Sequence, residues 1–90
     1  MAVVVRVGEE ESGAICLKVN RFAGGCDVYV AVTAEDGSSA WMQAVSTGRE
    51  SEADAYIARQ VKVDADLWVV EIEDPKGQFV MSERVVTLGK

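Results

Sequence analysis

The residues of this chain with the most chemical potential are its acids. Asp64, Asp66, Glu71, Glu73 and Asp74 form the densest set of hard oxygen donors, the ligand type that calcium and magnesium take. An EF-hand loop needs D-x-D-x-D-G and a distal glutamate, and no such string is present, so these acids read as the solvent face and turn of a strand. Carboxylate pairs that do acid and base work need one raised pKa in an apolar pocket. Glu83, between Val80 and Val85, reads as the least exposed acid, and a salt bridge or an edge position accounts for it.

Histidine is absent, which excludes Ser/His/Asp and Cys/His nucleophilic machinery, HExxH zinc sites and Cys-His zinc fingers. Nine residues separate Cys16 from Cys26, far from a CxxC spacing. Strand alternation places Cys16 with Lys18 on one face, and Cys26 with Val28, Val30 and Val32 on an apolar face. Thiols on opposite faces of a sheet cannot pair without strain, so two free cysteines are expected. Gly24 and Gly25 belong to neither phosphate-binding glycine pattern and precede no helix. No cofactor or metal is expected, and no enzyme activity.

Fifteen acidic residues against nine basic ones give a net charge of -6. That field repels phosphate backbones and anionic membranes, so neither nucleic acid nor a membrane is an expected partner. No apolar run approaches the 18 residues of a membrane span. The opening residues 1–7 lack the charged n-region of a signal peptide, and a cytoplasmic chain is expected. The run Glu9, Glu10, Glu11 is suited to a basic patch on another protein, although such a run also solvates an ordinary hairpin loop.

These side chains need elements to hold them. Val3, Val5 and Val7 alternate ahead of the acidic run, and alternation resumes at Ala14, predicting a hairpin with Val7 opposite Ile15, Val5 opposite Leu17 and Val3 opposite Val19. Residues 21–25 make the next turn, with Gly24 and Gly25 supplying positive φ. Asp36-Gly37 predicts a two-residue type I′ turn, which sets Val32 opposite Trp41, Val30 opposite Gln43 and Val28 opposite Val45. The reverse face then carries Tyr29, Ala31, Met42 and Ala44, so this ribbon is apolar on both sides.

Ser51-x-x-Asp54 predicts a helix start. Ala53, Tyr56, Ile57, Gln60 and Val61 form its apolar stripe, and it should end by Lys62. Residues 67–73 return to strand composition, and Asp74-Pro75-Lys76-Gly77 has type I turn chemistry. A last strand over residues 78–88 follows, with Ile72 opposite Phe79 or Val80 and a bend near residues 82–84.

The expected order is β-β-β-β-α-β-β in a single domain over residues 1–90. The expected class is α+β, an antiparallel sheet with one helix on one face, or a sheet curled into a partial barrel. A chain of 90 residues buries only about 60 to 65% of its unfolded surface. One helix cannot cover such a sheet, and Tyr29, Met42, Leu67 and Val69 remain on its far side, which predicts a homodimer.

Size, acidity and layout resemble those of small inhibitor, immunity and phage anti-defence proteins, at the level of class. The functional expectation is a non-enzymatic protein-interaction module that engages a basic surface through Glu9, Glu10, Glu11, Tyr29 and Met42. The alternative is a small-ligand domain with Trp41, Gln43, Tyr56 and Trp68 around a cavity between helix and sheet.

Overall fold

A computed structural model describes residues 2–11, 14–81 and 85–86. Its elements are β1 (Ala2–Arg6), β2 (Ile15–Asn20), a 3-10 turn (Phe22–Gly24), β3 (Cys26–Thr33), β4 (Ser39–Gly48), α1 (Glu50–Val63), β5 (Trp68–Glu73) and β6 (Val85–Val86). The order is the one the sequence predicts, and the class is α+β. No described helix is long and apolar enough to cross a membrane.

The strands lie in the order β1-β5-β2-β3-β4-β6. Five of them carry the sheet and β6 adds two residues. The sheet is open and mixed rather than purely antiparallel or curled into a barrel, because β2 pairs with β5, and β4 with β6, in parallel. The predicted hairpin of the first two strands is not formed. β5 stands between them, setting Val4 opposite Val70 on one side and Leu17 opposite Val70 on the other. With β3 and β5 as neighbours, β2 is the buried centre, and every residue from position 16 to 20 is buried. A local hairpin would have given β2 a poorly covered neighbour instead, since Val3, Val4 and Val5 are all exposed.

The second hairpin forms one residue out of the predicted register. Ala34 donates to the Ser38 carbonyl (2.8 Å) and Gly37 donates to the Ala34 carbonyl (2.9 Å), with Gly37 at φ 85°. The loop is therefore Glu35-Asp36-Gly37, a type I turn closed by a left-handed glycine, not a two-residue turn. Val32 faces Ala40, Ala31 faces Trp41, Val30 faces Met42 and Tyr29 faces Gln43; a bulge at Ala44 then restores the predicted Val28–Val45 pair. Directly opposed residues share a face, so Tyr29 and Met42, expected together, lie on opposite sides of the sheet.

The helix is capped at Arg49, two residues before the predicted Ser51, where the Glu52 carboxylate accepts from the Arg49 amide (2.8 Å). Ala53 is buried, while Tyr56, Ile57, Gln60 and Val61 are half-buried, as the stripe predicts. That stripe packs on Cys16, Cys26, Val28, Leu67 and Val69. Both cysteines are buried and free, but they share this face, contrary to the expected arrangement. They stand apart because Cys16 pairs with Val30 and Cys26 with Asn20, four residues or about 13 Å along the strand.

The far face carries Leu17, Val19 and Tyr29, with Trp41, Val70 and Ile72 beside them, and Phe79 and Met81 cover it. The predicted hairpin into the last strand is absent, because β1 and β2 already occupy both edges of β5. The Asp74 carboxylate instead accepts from the Gln78 and Phe79 amides, each at 2.9 Å, which turns the chain out of the sheet and across its far face. The predicted bend at 82–84, and Glu83 with it, lie outside the described residues.

Candidate interaction surface

β1 forms one edge of the sheet and, among the described residues, has a strand neighbour only in β5. Its valines and Val7 just beyond it are open to solvent: Val3, Val4, Val5 and Val7 are 47%, 53%, 58% and 69% exposed. Arg6, the strand's one charge, is turned inward, and its guanidinium donates to the Leu67 carbonyl (2.9 Å). A bulge between Val4 and Arg6 is the strand's sole irregularity.

The acidic run follows at the end of this edge, and the structure holds its start in place. A Cβ at Gly8 would sit 2.0 Å from the Asp66 carbonyl oxygen, so only glycine allows that backbone approach. Glu9 donates its amide to the Asp66 carbonyl (3.0 Å) and accepts from the Trp68 indole at its own carbonyl (2.9 Å). Glu9, Glu10, Glu11 and Asp66 are all exposed. An apolar strand edge thus runs directly into a patch of four carboxylates.

Two cations, the buried Lys18 and the half-buried Arg21, anchor the covers of the two faces. Lys18 Nζ contacts Asp54 Oδ1 (2.7 Å), Glu50 Oε2 (2.9 Å) and Glu71 Oε1 (3.6 Å). Burial alone would lower its pKa, but the hydrogen bonds from Asp54 and Glu50 and the charge of Glu71 outweigh that and raise it. The amine stays protonated and is no nucleophile. On the other face Arg21 pairs with Asp27 and Asp74 and donates to the Phe79 carbonyl (3.1 Å). Desolvation opposes ionisation of Asp74, but the Phe79 and Gln78 amides and Arg21 outweigh it and hold its pKa below the usual carboxylate range. Burial pushes the Cys16 thiol up to about 11 and raises that of Cys26, so neither is an activated thiolate.

Two grooves flank the junction of β4 and α1. One, of about 400 Å³, lies between the Phe22–Gly24 turn and residues 47–50; the other, of about 600 Å³, lies between the end of β4 and Tyr56 and Arg59. Phe22 and Thr47 border the first with φ values of 58° and 47°. Their strain has a structural cause, since Asn20 Oδ1 accepts from the Phe22 amide (2.8 Å) and Asp27 Oδ1 from that of Thr47 (2.7 Å). Phe22 and Gly25, not Gly24, supply the positive φ of this turn. No described side chain leaves a buried polar atom unpaired, so neither groove presents an unmet demand for a ligand.

The residues expected around one cavity are not brought together. Tyr56 lines the second groove on the helix side. Trp41 packs on the far face, Gln43 shares that face by its pairing with Tyr29, and Trp68 stands opposite Ile15 at the start of β5. The sheet separates Tyr56 from the other three. Among the residues expected to meet a partner, Glu9, Glu10 and Glu11 are exposed, Tyr29 is buried under the crossing segment, and Met42 is half-buried on the helix side. The acids of residues 64–74 disperse: Glu71 turns to Lys18, Asp74 to Arg21 and the Gln78 and Phe79 amides, and Asp64 accepts from the Asp66 amide (3.0 Å).

Sequence reading passed over Lys18, Asn20, Arg21, Asp27 and the fixed position of Gly8. One signal for the first was present: Glu50 and Asp54 stand four apart on a helix, a spacing that turns both carboxylates to one side.

The chain is similar over residues 1–82 to the family model described as DUF1491, a protein family of unknown function. It is similar to a DUF1491 family protein from Caulobacter crescentus CB15 known from a crystal structure, at 39% identity and a TM-score of 0.81, covering 96% of this chain and 81% of that one. An NMR structure of a DUF1491 family protein from the same organism matches at 39% identity and a TM-score of 0.78, covering 96% and 79%. A solution structure from A. tumefaciens shares the fold at 22% identity and a TM-score of 0.79, covering 100% of this chain and 81% of that one. No curated protein matches.

Proposed function

As the chain belongs to the DUF1491 family, we propose that it is a small non-enzymatic protein-interaction module whose acidic end engages a basic surface of a partner protein. The observation that carries this is the exposed Glu9, Glu10, Glu11 and Asp66 patch, fixed by the Gly8 approach at the end of an apolar strand edge. A loop that merely solvated a hairpin would not need its first residue locked between Asp66 and Trp68. The net charge of -6 extends the attraction beyond contact distance. Covering a basic nucleic-acid-binding site on the partner is the inhibitory form of this role.

The surplus of apolar surface that argued for a homodimer has a cover within the chain, Phe79 and Met81. Any pairing of two copies would therefore run through β1 rather than the far face.

Affinity capture from the native extract at low and moderate salt tests the role, comparing the chain with a Glu9→Lys, Glu10→Lys, Glu11→Lys variant. A basic protein is expected to be retained, to elute as salt rises and to be lost by the variant. Retention that neither salt nor the variant reduces would overturn the proposal.

A further inference from the structure

We infer that β1 is a strand-addition site, and that its occupant is an extended partner segment in which a cluster of Lys or Arg precedes a short run of β-branched residues, pairing antiparallel to β1. The inference rests on the interaction role proposed above and specifies how the partner is held.

Three observations place it there. First, an edge strand presents a row of backbone donors and acceptors that invites another strand, and the outer side of β1 has no strand neighbour among the described residues. Proteins blunt such edges with lysine, proline, bulges or a covering element. Residues 2–7 contain no lysine and no proline, and Arg6 is drawn inward to Leu67. The bulge at Val5 leaves residues 2–4 in regular pairing. At the opposite edge, by contrast, the ten-residue β4 is met by β6.

Second, the valines flanking that edge are about half exposed or more. Val4 lies beside Val70 on the far-face side and Val3 beside Glu71 on the helix side. An added strand with β-branched residues would extend both surfaces.

Third, charge selects the occupant and, for antiparallel pairing, the order of its residues. The C-terminal end of β1 leads into Glu9, Glu10 and Glu11, with Asp66 beside them. In antiparallel pairing the N-terminal end of an added segment meets those carboxylates, so its basic residues must come first. A second copy is disfavoured as occupant, because it brings another -6 and no free cation in its own β1 edge.

The test uses the full chain and a fluorescent synthetic peptide of lysines followed by alternating valine and threonine. Two other peptides accompany it: the same sequence with its strand amides N-methylated, and the reversed order with the lysines last. Anisotropy titration is expected to show binding that weakens about tenfold or more on N-methylation, because several backbone hydrogen bonds are lost. The Trp68 emission, next to Glu9, should shift on saturation. Val4→Lys should weaken binding without unfolding the chain, as checked by its circular dichroism.

Equal binding of the parent and N-methylated peptides, still lost on reversing the charge of Glu9, Glu10 and Glu11, would overturn strand addition and leave the acidic-end role standing. Tighter binding of the reversed peptide would overturn the antiparallel direction. A concentration-dependent dimer in sedimentation that Val4→Lys dissolves would overturn the choice of occupant. Absence of binding by every peptide, together with cellular capture indifferent to the glutamates, would remove both proposals.

Discussion

Each face of the sheet is closed by one element, and a cation at or just beyond β2 holds that element down, but burial is divided differently in the two places. On the helix face Lys18 is 6% exposed while Glu50 and Asp54 are 55% and 59% exposed. On the far face Arg21 is 17% exposed and its partners Asp27 and Asp74 are 8% and 9% exposed. The first is a buried point charge whose two nearest acids, from the helix, remain in water. The second is a planar cation enclosed with both its acids, and it holds a segment with no strand pairing to β5. The helix packs through its apolar stripe, whereas the strap over residues 74–81 is held by charged hydrogen bonds as well as by Phe79 and Met81.

The sharpest way to break this contrast is Asp27→Ala. It strands a guanidinium with one remaining acid and frees the Thr47 amide, and a loss of about 3–5 kcal/mol is expected in urea denaturation. A loss below about 1 kcal/mol would mean that the far-face pair is dispensable. Lys18→Met should cost less, about 2 kcal/mol, because Glu50 and Asp54 rehydrate in place once the ammonium is gone. Were it to exceed the loss from Asp27→Ala, the contrast between the two faces would be inverted. Glu50→Gln, which removes one half-exposed partner and leaves Asp54 and Glu71, should cost under about 1 kcal/mol in the same measurement.

The narrowest effect concerns the titration of Asp74 and is confined to acid. Its pKa in the folded chain lies below the unfolded value, so its contribution is complete above the unfolded value. The unfolded chain takes up the proton first as pH falls, and the contribution is lost as pH drops below about 4 through the depressed folded pKa. Trp41, which packs in the cluster under the strap, should report this as an emission change confined to that acid range. Asp74→Asn should abolish that pH dependence; an unchanged acid transition in the variant would assign it to another group.

The element order and the helix stripe were legible because they rest on local periodicity. Ala53, Tyr56, Ile57 and Val61 recur at helical spacing whatever they pack against. Turn chemistry was legible at Asp74-Pro75-Lys76-Gly77, where Gly77 donates to the Asp74 carbonyl (3.1 Å). It misled at Asp36-Gly37, since the same dipeptide serves a two-residue turn and a three-residue loop, and the one-residue difference moved Met42 to the other face. The acidic run was visible as composition, but its setting was not. Gly8 is read as a loop residue until Asp66, 58 positions away, is known to lie against it.

By itself the sequence determined the order of strands and helix, the absence of histidine chemistry, the acidic field and the excess of apolar residues for one helix to cover. Each follows from residue type or short-range spacing. Tertiary structure decided which strands are neighbours, that β5 separates β1 from β2, and that the chain covers its own far face. It also decided that β1, otherwise ordinary in composition, is an apolar edge with no outer strand among the described residues, ending in carboxylates. The physical reason is that strand pairing satisfies backbone groups that are the same in every residue, so the choice of neighbour depends on the whole sheet rather than on any local pattern.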